Sequence, residues 1–149
     1  MPSRDDPFGL NRFVEGQNDI FDAVLAELRA GQKCGHWMWF IFPQFAGLGV
    51  SPTADFFAIK SLAEAEAFLA HFLLGPRLRQ CTTIVNELEG RTLMEIFGDP
   101  DRMKFCSCMT LFARVAPDEP IFTQALQKYC RGEEDPMTLA ALSAQQKAV

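Results

Sequence analysis

What most constrains the fold of this chain is the recurrence of helix start and stop signals at short intervals. Ser61-Leu62-Ala63-Glu64 and Thr92-Leu93-Met94-Glu95 both have the form of a capping box. In that arrangement the first hydroxyl and the fourth carboxylate each take a backbone N–H that the opening turn leaves unpaired. Ser51-Pro52, Asp99-Pro100, Asp118 with Pro120, and Asp135-Pro136 add polar caps with a proline in or near the first turn, where its fixed φ and missing N–H do no harm. Gly31, Gly75 and Gly90 supply the stops, because glycine tolerates the left-handed turn that frees the last carbonyls.

Between these marks the apolar residues fall at helical spacing. Leu10, Phe13, Val14, Ile20, Phe21, Val24, Leu25 and Leu28 predict one amphipathic helix over 10–29. Leu62, Ala65, Phe68, Leu69 and Phe72 predict a second, and Leu78, Cys81, Val85 and Leu88 a third that Pro76 opens. Short helices are expected through Ala54, Phe56 and Phe57 and over "LMEIFG", with longer ones near 100–115, 119–131 and 136–143. With 149 residues, no repeat and no shift in composition, the chain reads as one domain over 1–149, its ordered core near 6–142 and its termini, including "SAQQKAV", frayed. The expected class is mainly α, a compact domain of about seven helices.

One segment resists this plan. "HWMWFIF", bounded by Gly35 and Pro43, is short, apolar and aromatic, which predicts a buried strand or extended run with Trp37 and Trp39 on one face. A lone strand makes no sheet. Residues 101–112 would be its partner if partly extended, so a small sheet of two or three strands inside a helical shell is the one departure from an all-helical plan that the pattern allows.

Charge and cysteine usage narrow the function classes. The formal charge of −5 arises from 19 acidic and 14 basic residues, the latter scattered, so a broad grip on nucleic acid is not expected. No segment has the length of a signal peptide core or a membrane span, and the chain is read as cytoplasmic, a monomer or weak homodimer. Five cysteines, Cys34, Cys81, Cys106, Cys108 and Cys130, are odd in number in a chain that needs no staples, so reduced thiols are expected. Cys106-Ser107-Cys108 lacks the gap of a zinc knuckle, and neither His36 nor His71 lies at ligand spacing from it; no metal and no cofactor are called for.

Candidate chemistry gathers in two places. Core packing accounts for most of the tryptophan run, but His36 and Gln44 place polar groups at its ends and "AGLG" lets backbone come close to a ligand or turn. Polar tips around an aromatic floor suit a nucleobase or another flat heterocycle. Lys104, flanked by Met103 and Phe105, is a candidate nucleophile toward a carbonyl carbon if those neighbours desolvate it; an exposed lysine is the plainer reading. Arg77, Arg79 and Arg91 are candidate phosphate holders, with surface solvation the plainer reading for Arg79. Asp99 and Asp101 read as helix caps, Glu15 and Glu27 as exposed. Cys34 and Cys108 have no base near them in sequence, which leaves a cysteine nucleophile unsupported.

With "DPFGLNRFVEGQ", "GHWMWFIFPQFAGLG", "LGPRL" and "EGRTLMEIFGDPDRMKFCSCMTLFARVAPDEPIF", the chain resembles a family of small bacterial proteins of unknown function often mislabelled calpastatin, from about Asp6 to Leu142. A more distant resemblance is to the YbiA-like, or NADAR, superfamily, and rests on Met103-Lys104-Phe105 preceded by Gly90-Arg91. That likeness implies a compact helical fold and a link to ADP-ribose metabolism and N-glycosidic cleavage. The acidic residue expected near the first helix has no clean equivalent. The joint expectation is a pocket for a nucleotide-like, ADP-ribose or phosphoribosyl ligand. Trp37 and Trp39 would frame the base, His36 and Gln44 orient it, Arg77 or Arg91 hold phosphate, and Lys104 attack the anomeric carbon of an N-glycoside. The rival expectation is a non-catalytic module whose aromatic surface binds a protein or a regulatory nucleotide.

Overall fold

Capping sets most of the element boundaries. The computed structural model describes residues 5–49 and 51–147. Among them ten helices follow in order: α1 (Asn11–Asn18), α2 (Phe21–Ala30), α3 (Met38–Ile41), α4 (Pro52–Phe56), α5 (Leu62–Ala70), α6 (Leu74–Glu87), α7 (Leu93–Phe97), α8 (Asp101–Val115), α9 (Pro120–Tyr129) and α10 (Pro136–Lys147). The mainly helical class stands. Helices outnumber the expected seven partly because the predicted 10–29 helix breaks at Asp19 and Ile20, where Ile20 leaves the helical region at φ −124°, and partly because α3 forms where a strand was expected.

The caps form as their chemistry requires. Ser51 and Ser61 accept from the N–H groups of Ala54 and Glu64, both at 3.0 Å. Thr92 and Glu95 close a complete box, at 3.1 and 2.9 Å. At Ser61 only half the box forms, because Glu64 turns its carboxylate to the Lys60 N–H and to Arg12. Asp135 caps α10, accepting from the Thr138 N–H at 2.9 Å. Asp99 and Asp118 do not cap as expected: Pro100 and Glu119 hold the cap positions without a side-chain bond, and Asp99 pairs with Arg102. Gly31 closes α2 in the left-handed region at φ 73°. α10 runs on to Lys147, past the expected end at 143, and Ala148 and Val149 lie outside the described residues.

The expected strand is not there. Met38–Ile41 form the single helical turn of α3, and residues 101–112 are continuous helix within α8. In place of a sheet, an isolated parallel bridge joins Phe45 and Ile59. The reason is hydrogen-bond accounting: α8 satisfies its own backbone, so "HWMWFIF" has no partner strand and closes its bonds locally, Ile41 N–H to Trp37 at 3.2 Å and Phe42 N–H to Met38 at 3.0 Å. The helical turn also separates the tryptophans. Two residues along a helix is a rotation of about 200°, so Trp37 faces the core and Trp39 faces out of it.

α8 is the centre of the molecule, packed by α5, α7, α9 and α10. Its buried face is broad, with Phe105, Cys108, Met109, Leu111 and Phe112 all sealed from water. Phe105 meets Phe42 and Phe97 with ring centroids 5.2 and 5.0 Å apart. Phe112 meets Phe68 and Phe122 at 5.6 and 5.8 Å. These tilted, stacked and edge-on contacts add to what area burial alone supplies. Among the described residues no helix is long and apolar enough to cross a membrane.

The expectation of five reduced thiols is also corrected. Cys106 on α8 and Cys130, just past α9, form a disulfide with Cα atoms 6.0 Å apart, while Cys34, Cys81 and Cys108 are free. Helix packing, invisible in spacing, brings the pair together. The bond closes a loop with a sequence separation of 24, so its reduction should lower stability by about 2–4 kcal/mol. Urea unfolding with and without reductant measures this; coincident curves would show that the bond adds nothing.

Candidate functional site

Where α3, α8 and the start of α10 approach one another they leave an open cleft of about 390 Å³. Trp39 and Gln44 form one side, with the loop through Leu48, Gly49 and Ser51. Pro100, Met103, Lys104 and Ser107 of the α8 region form the other, and Asp135 and Met137 the end. The loop is held by the bridge at Phe45, where Ala46 donates to the Ile59 carbonyl at 2.8 Å and Ile59 to that of Gln44 at 2.9 Å. The glycine of "AGLG" that matters is Gly49, since a Cβ there would stand 2.6 Å from Ala54 Cβ. Its closeness serves the packing of α4 against the cleft wall.

Lys104 is fixed by two contacts. Its Nζ lies 3.2 Å from Asp101 Oδ1, one helical turn back, and 4.8 Å from the Trp39 ring centroid. The cation on the ring face and the carboxylate beside it together aim the ammonium into the cleft. The apolar sequence neighbours do not enclose it: Met103 is 62% exposed and Phe105 points into the core. Asp101 is shared with a second lysine, for Lys33 Nζ reaches its Oδ2 at 2.8 Å. Burial alone would raise the Asp101 carboxyl, but the hydrogen bonds and charges of Lys33 and Lys104 outweigh it and hold the pKa below the ordinary value.

Behind this pair the chain from α2 to α3 is pinned by Glu27. Its Oε1 accepts from the N–H groups of Cys34 and Gly35 and from the Trp37 indole, at 2.6, 2.9 and 2.9 Å. Burial pushes this carboxyl up, yet the three donors and Lys33 more than reverse it, so its pKa is lowered. Lys33 also donates to the Gly35 carbonyl and lies 5.1 Å from the Trp37 ring centroid. Trp37, 3% exposed, is therefore a wall post behind the cleft and does not line it.

Residues 7–142 match a family model described as a protein of unknown function, DUF1810. The chain belongs to the DUF1810 family. Comparison with curated proteins gives no match. Among solved structures, the crystal structure of the conserved hypothetical protein Rv1873 from Mycobacterium tuberculosis, at 1.38 Å, is similar: 54% identical, covering 93% of this chain and 99% of that one, with a TM-score of 0.91. The DUF1810 match spans every residue that lines the cleft.

Of the residues singled out from sequence, this DUF1810 chain brings Trp39, Gln44 and Lys104 to one cleft and leaves the others elsewhere. His36 is exposed on the α2–α3 connection, outside the lining. Arg77 spans α6 to α1, donating to Gln17 and Asn18 at 3.3 Å and lying 4.9 Å from the Phe21 ring centroid. Arg91 packs over Gly31 at the end of α2. Neither arginine lines the cleft, so neither supplies it with a phosphate holder. Arg79 is taken by Glu119 at 2.6 Å. Burial pushes the Cys81 thiol up to about 12 and that of Cys108 well above its ordinary value, which makes both poor nucleophiles.

Sequence reasoning missed Asp101 as an ion-pair hub and Asp135 as a lining residue, reading both as caps. The spacing of Asp101 and Lys104, three apart on one helix, was the available signal for the first. For Asp135 there was none, since its approach to Ser107 at 3.2 Å depends on how α10 returns to α8.

Proposed function

We propose that this DUF1810 chain binds a nucleotide-like, ribosyl-bearing small molecule in the cleft. The observation that carries the reading is the meeting of Trp39, Gln44 and Lys104, from separate parts of the chain, around one cavity. A volume of about 390 Å³ falls within the range of small-molecule sites, roughly 300–1,000 Å³. Trp39 supplies a ring for a flat heterocycle. Gln44 spends its backbone carbonyl on Ile59, and its side-chain amide has no partner among the described residues, so it is open to a base edge. The resemblance to the NADAR superfamily supports the same ligand class and the cleavage of an N-glycosidic bond.

In the catalytic form of this reading Lys104 gives up a proton to water in the open cleft, Asp101 holds the side chain in place, and the amine attacks the anomeric carbon. The departing ring nitrogen leaves with the bond's electron pair and takes up a proton from water, and water then releases the sugar from the Schiff base of the opened ring. Isothermal titration with nucleosides, nucleotides and ADP-ribose tests the binding. Trp39→Ala and Lys104→Ala are each expected to weaken it at least about tenfold, with unfolding free energies moving by about 1 kcal/mol or less. If no such compound binds, the reading fails. Borohydride trapping followed by peptide mass mapping tests the chemistry, and unchanged turnover in Lys104→Ala would remove that lysine from it.

A second reading, a protein-binding module, draws on Met103 and Met137 at the cleft rim, each 62% exposed. Exposed methionines suit an adaptable apolar contact. It predicts concentration-dependent sedimentation or partner binding that Met137→Glu abolishes.

A further inference from the structure

The cleft's charge inventory says which end of that ligand class it takes. Among the described residues the lining holds one cation, Lys104, and one carboxylate, Asp135. The cation is already engaged by Asp101 at 3.2 Å. A small hollow that shares Trp39 and Gln44 with the cleft adds a further carboxylate, Asp55. Asp101 lies behind the lining and is shared by Lys104 and the second lysine, Lys33, whose side chain is 7% exposed, so neither lysine is left unpaired for an anion. A pyrophosphate placed here would find no unpaired cation among the described lining residues and would meet the Asp135 carboxylate at the cleft end, which repels it.

Asp135 is built as an acceptor. Its Oδ2 takes the Thr138 N–H at 2.9 Å, the Thr138 hydroxyl at 2.6 Å and the Ser107 hydroxyl at 3.2 Å, and its own N–H donates to Thr110 at 2.8 Å. These bonds fix the carboxylate from the protein side, while Oδ1 has no partner among the described residues. A carboxylate oxygen held in place at a cleft end, with lone pairs unclaimed among the described residues, calls for donors, and the vicinal hydroxyls of a ribose are such a pair. The Ser107 hydroxyl also lies 3.1 Å from the Met103 carbonyl. Its single proton serves one acceptor at a time, which leaves its oxygen able to accept from the ligand.

We infer that the cleft selects an uncharged ribonucleoside or similar N-riboside over its phosphorylated forms, with Asp135 as the specificity-determining residue that takes the sugar hydroxyls and turns phosphate away. This rests on the reading of the cleft as a small-molecule site. It narrows that reading against ADP-ribose itself, because among the described residues the one cation of the lining is already paired and no arginine joins it.

Isothermal titration with adenosine, guanosine, cytidine and uridine, their 2′-deoxy forms, their 5′-monophosphates and ADP-ribose provides the test. At least one ribonucleoside is expected to bind about tenfold or more tightly than its monophosphate, and its 2′-deoxy form to lose about tenfold or more. Asp135→Asn keeps an oxygen for the cap of α10 and turns a donor toward the cleft; it should bring nucleoside and monophosphate to within about threefold of each other. Asp135→Ser, which also keeps a cap, should act the same way. If ADP-ribose or a monophosphate binds more tightly than every nucleoside, the selectivity is overturned while the small-molecule reading survives. An unchanged ratio in both Asp135 variants overturns the role of that residue. If nothing in the series binds, both readings fall.

Discussion

Arg12→Ala should lower the unfolding free energy by about 3–5 kcal/mol, the largest loss expected of any single charged residue here. The Arg12 guanidinium donates to the carbonyls of Phe8, Gly9, Phe56 and Ala58 and to Glu64 Oε2 at 2.6 Å. With side-chain exposures of 14% for Arg12 and 5% for Glu64, the pair is too deep for water to replace the missing partner. Glu64 would keep the Lys60 N–H at 2.9 Å but lose its cationic partner, leaving a buried carboxylate half satisfied. Urea unfolding of Arg12→Ala, Glu64→Gln and the double variant checks this. The double variant should cost clearly less than the sum of the singles, since removing both ends leaves no stranded charge. Losses near those of exposed pairs, below about 1 kcal/mol, would mean that water reaches the site.

Trp37→Ala should cost about 3–5 kcal/mol as well, by a different route. The indole lies in the core, 6.3 Å from the Phe42 ring centroid, and its N–H is one of three donors on Glu27 Oε1. Truncation therefore opens a cavity and removes one of the bonds that hold Glu27 below its ordinary pKa. The sign follows: a carboxyl whose folded pKa is depressed adds stability at pH values above its unfolded pKa and loses it as pH falls through the folded value. Part of the Trp37→Ala loss should accordingly shrink in acid. Unfolding curves at neutral and acid pH for this variant beside Trp39→Ala separate the two tryptophans, because Trp39 should move stability little. Equal losses at Trp37 and Trp39 would contradict the division between core and cleft.

That division was only half legible beforehand. Helix starts at Ser51, Ser61, Thr92 and Asp135 could be read because a cap is local chemistry, decided by a residue and its next three neighbours. The end of α2 at Gly31 was legible for the same reason. Trp37 and Trp39 were misplaced on one face because a short aromatic run carries no period long enough to tell a strand from a turn; what decided it was the lack of a partner strand, a property of the rest of the chain. The Cys106–Cys130 bond and the approach of Asp135 to Ser107 depend on how α8, α9 and α10 pack, which no local pattern encodes. Lys104 was found for a reason that does not hold, its apolar sequence neighbours, yet it lines the cleft through Asp101 and Trp39.

One consequence of α8 being the central helix concerns the thermodynamics of recognition. Lys104 and Ser107 ride on the same two turns as Phe105 and Cys108, so the wall they form is anchored in the core and would lose little entropy on taking up the ligand proposed for the cleft. The facing wall is assembled from Trp39 of α3, Gln44 and the loop that follows, and the rim carries two long unbranched thioethers. One side of the cleft therefore acts as a template and the thioethers of the rim adapt to what it holds, so differences in affinity among related ligands would appear mainly in how fast they leave.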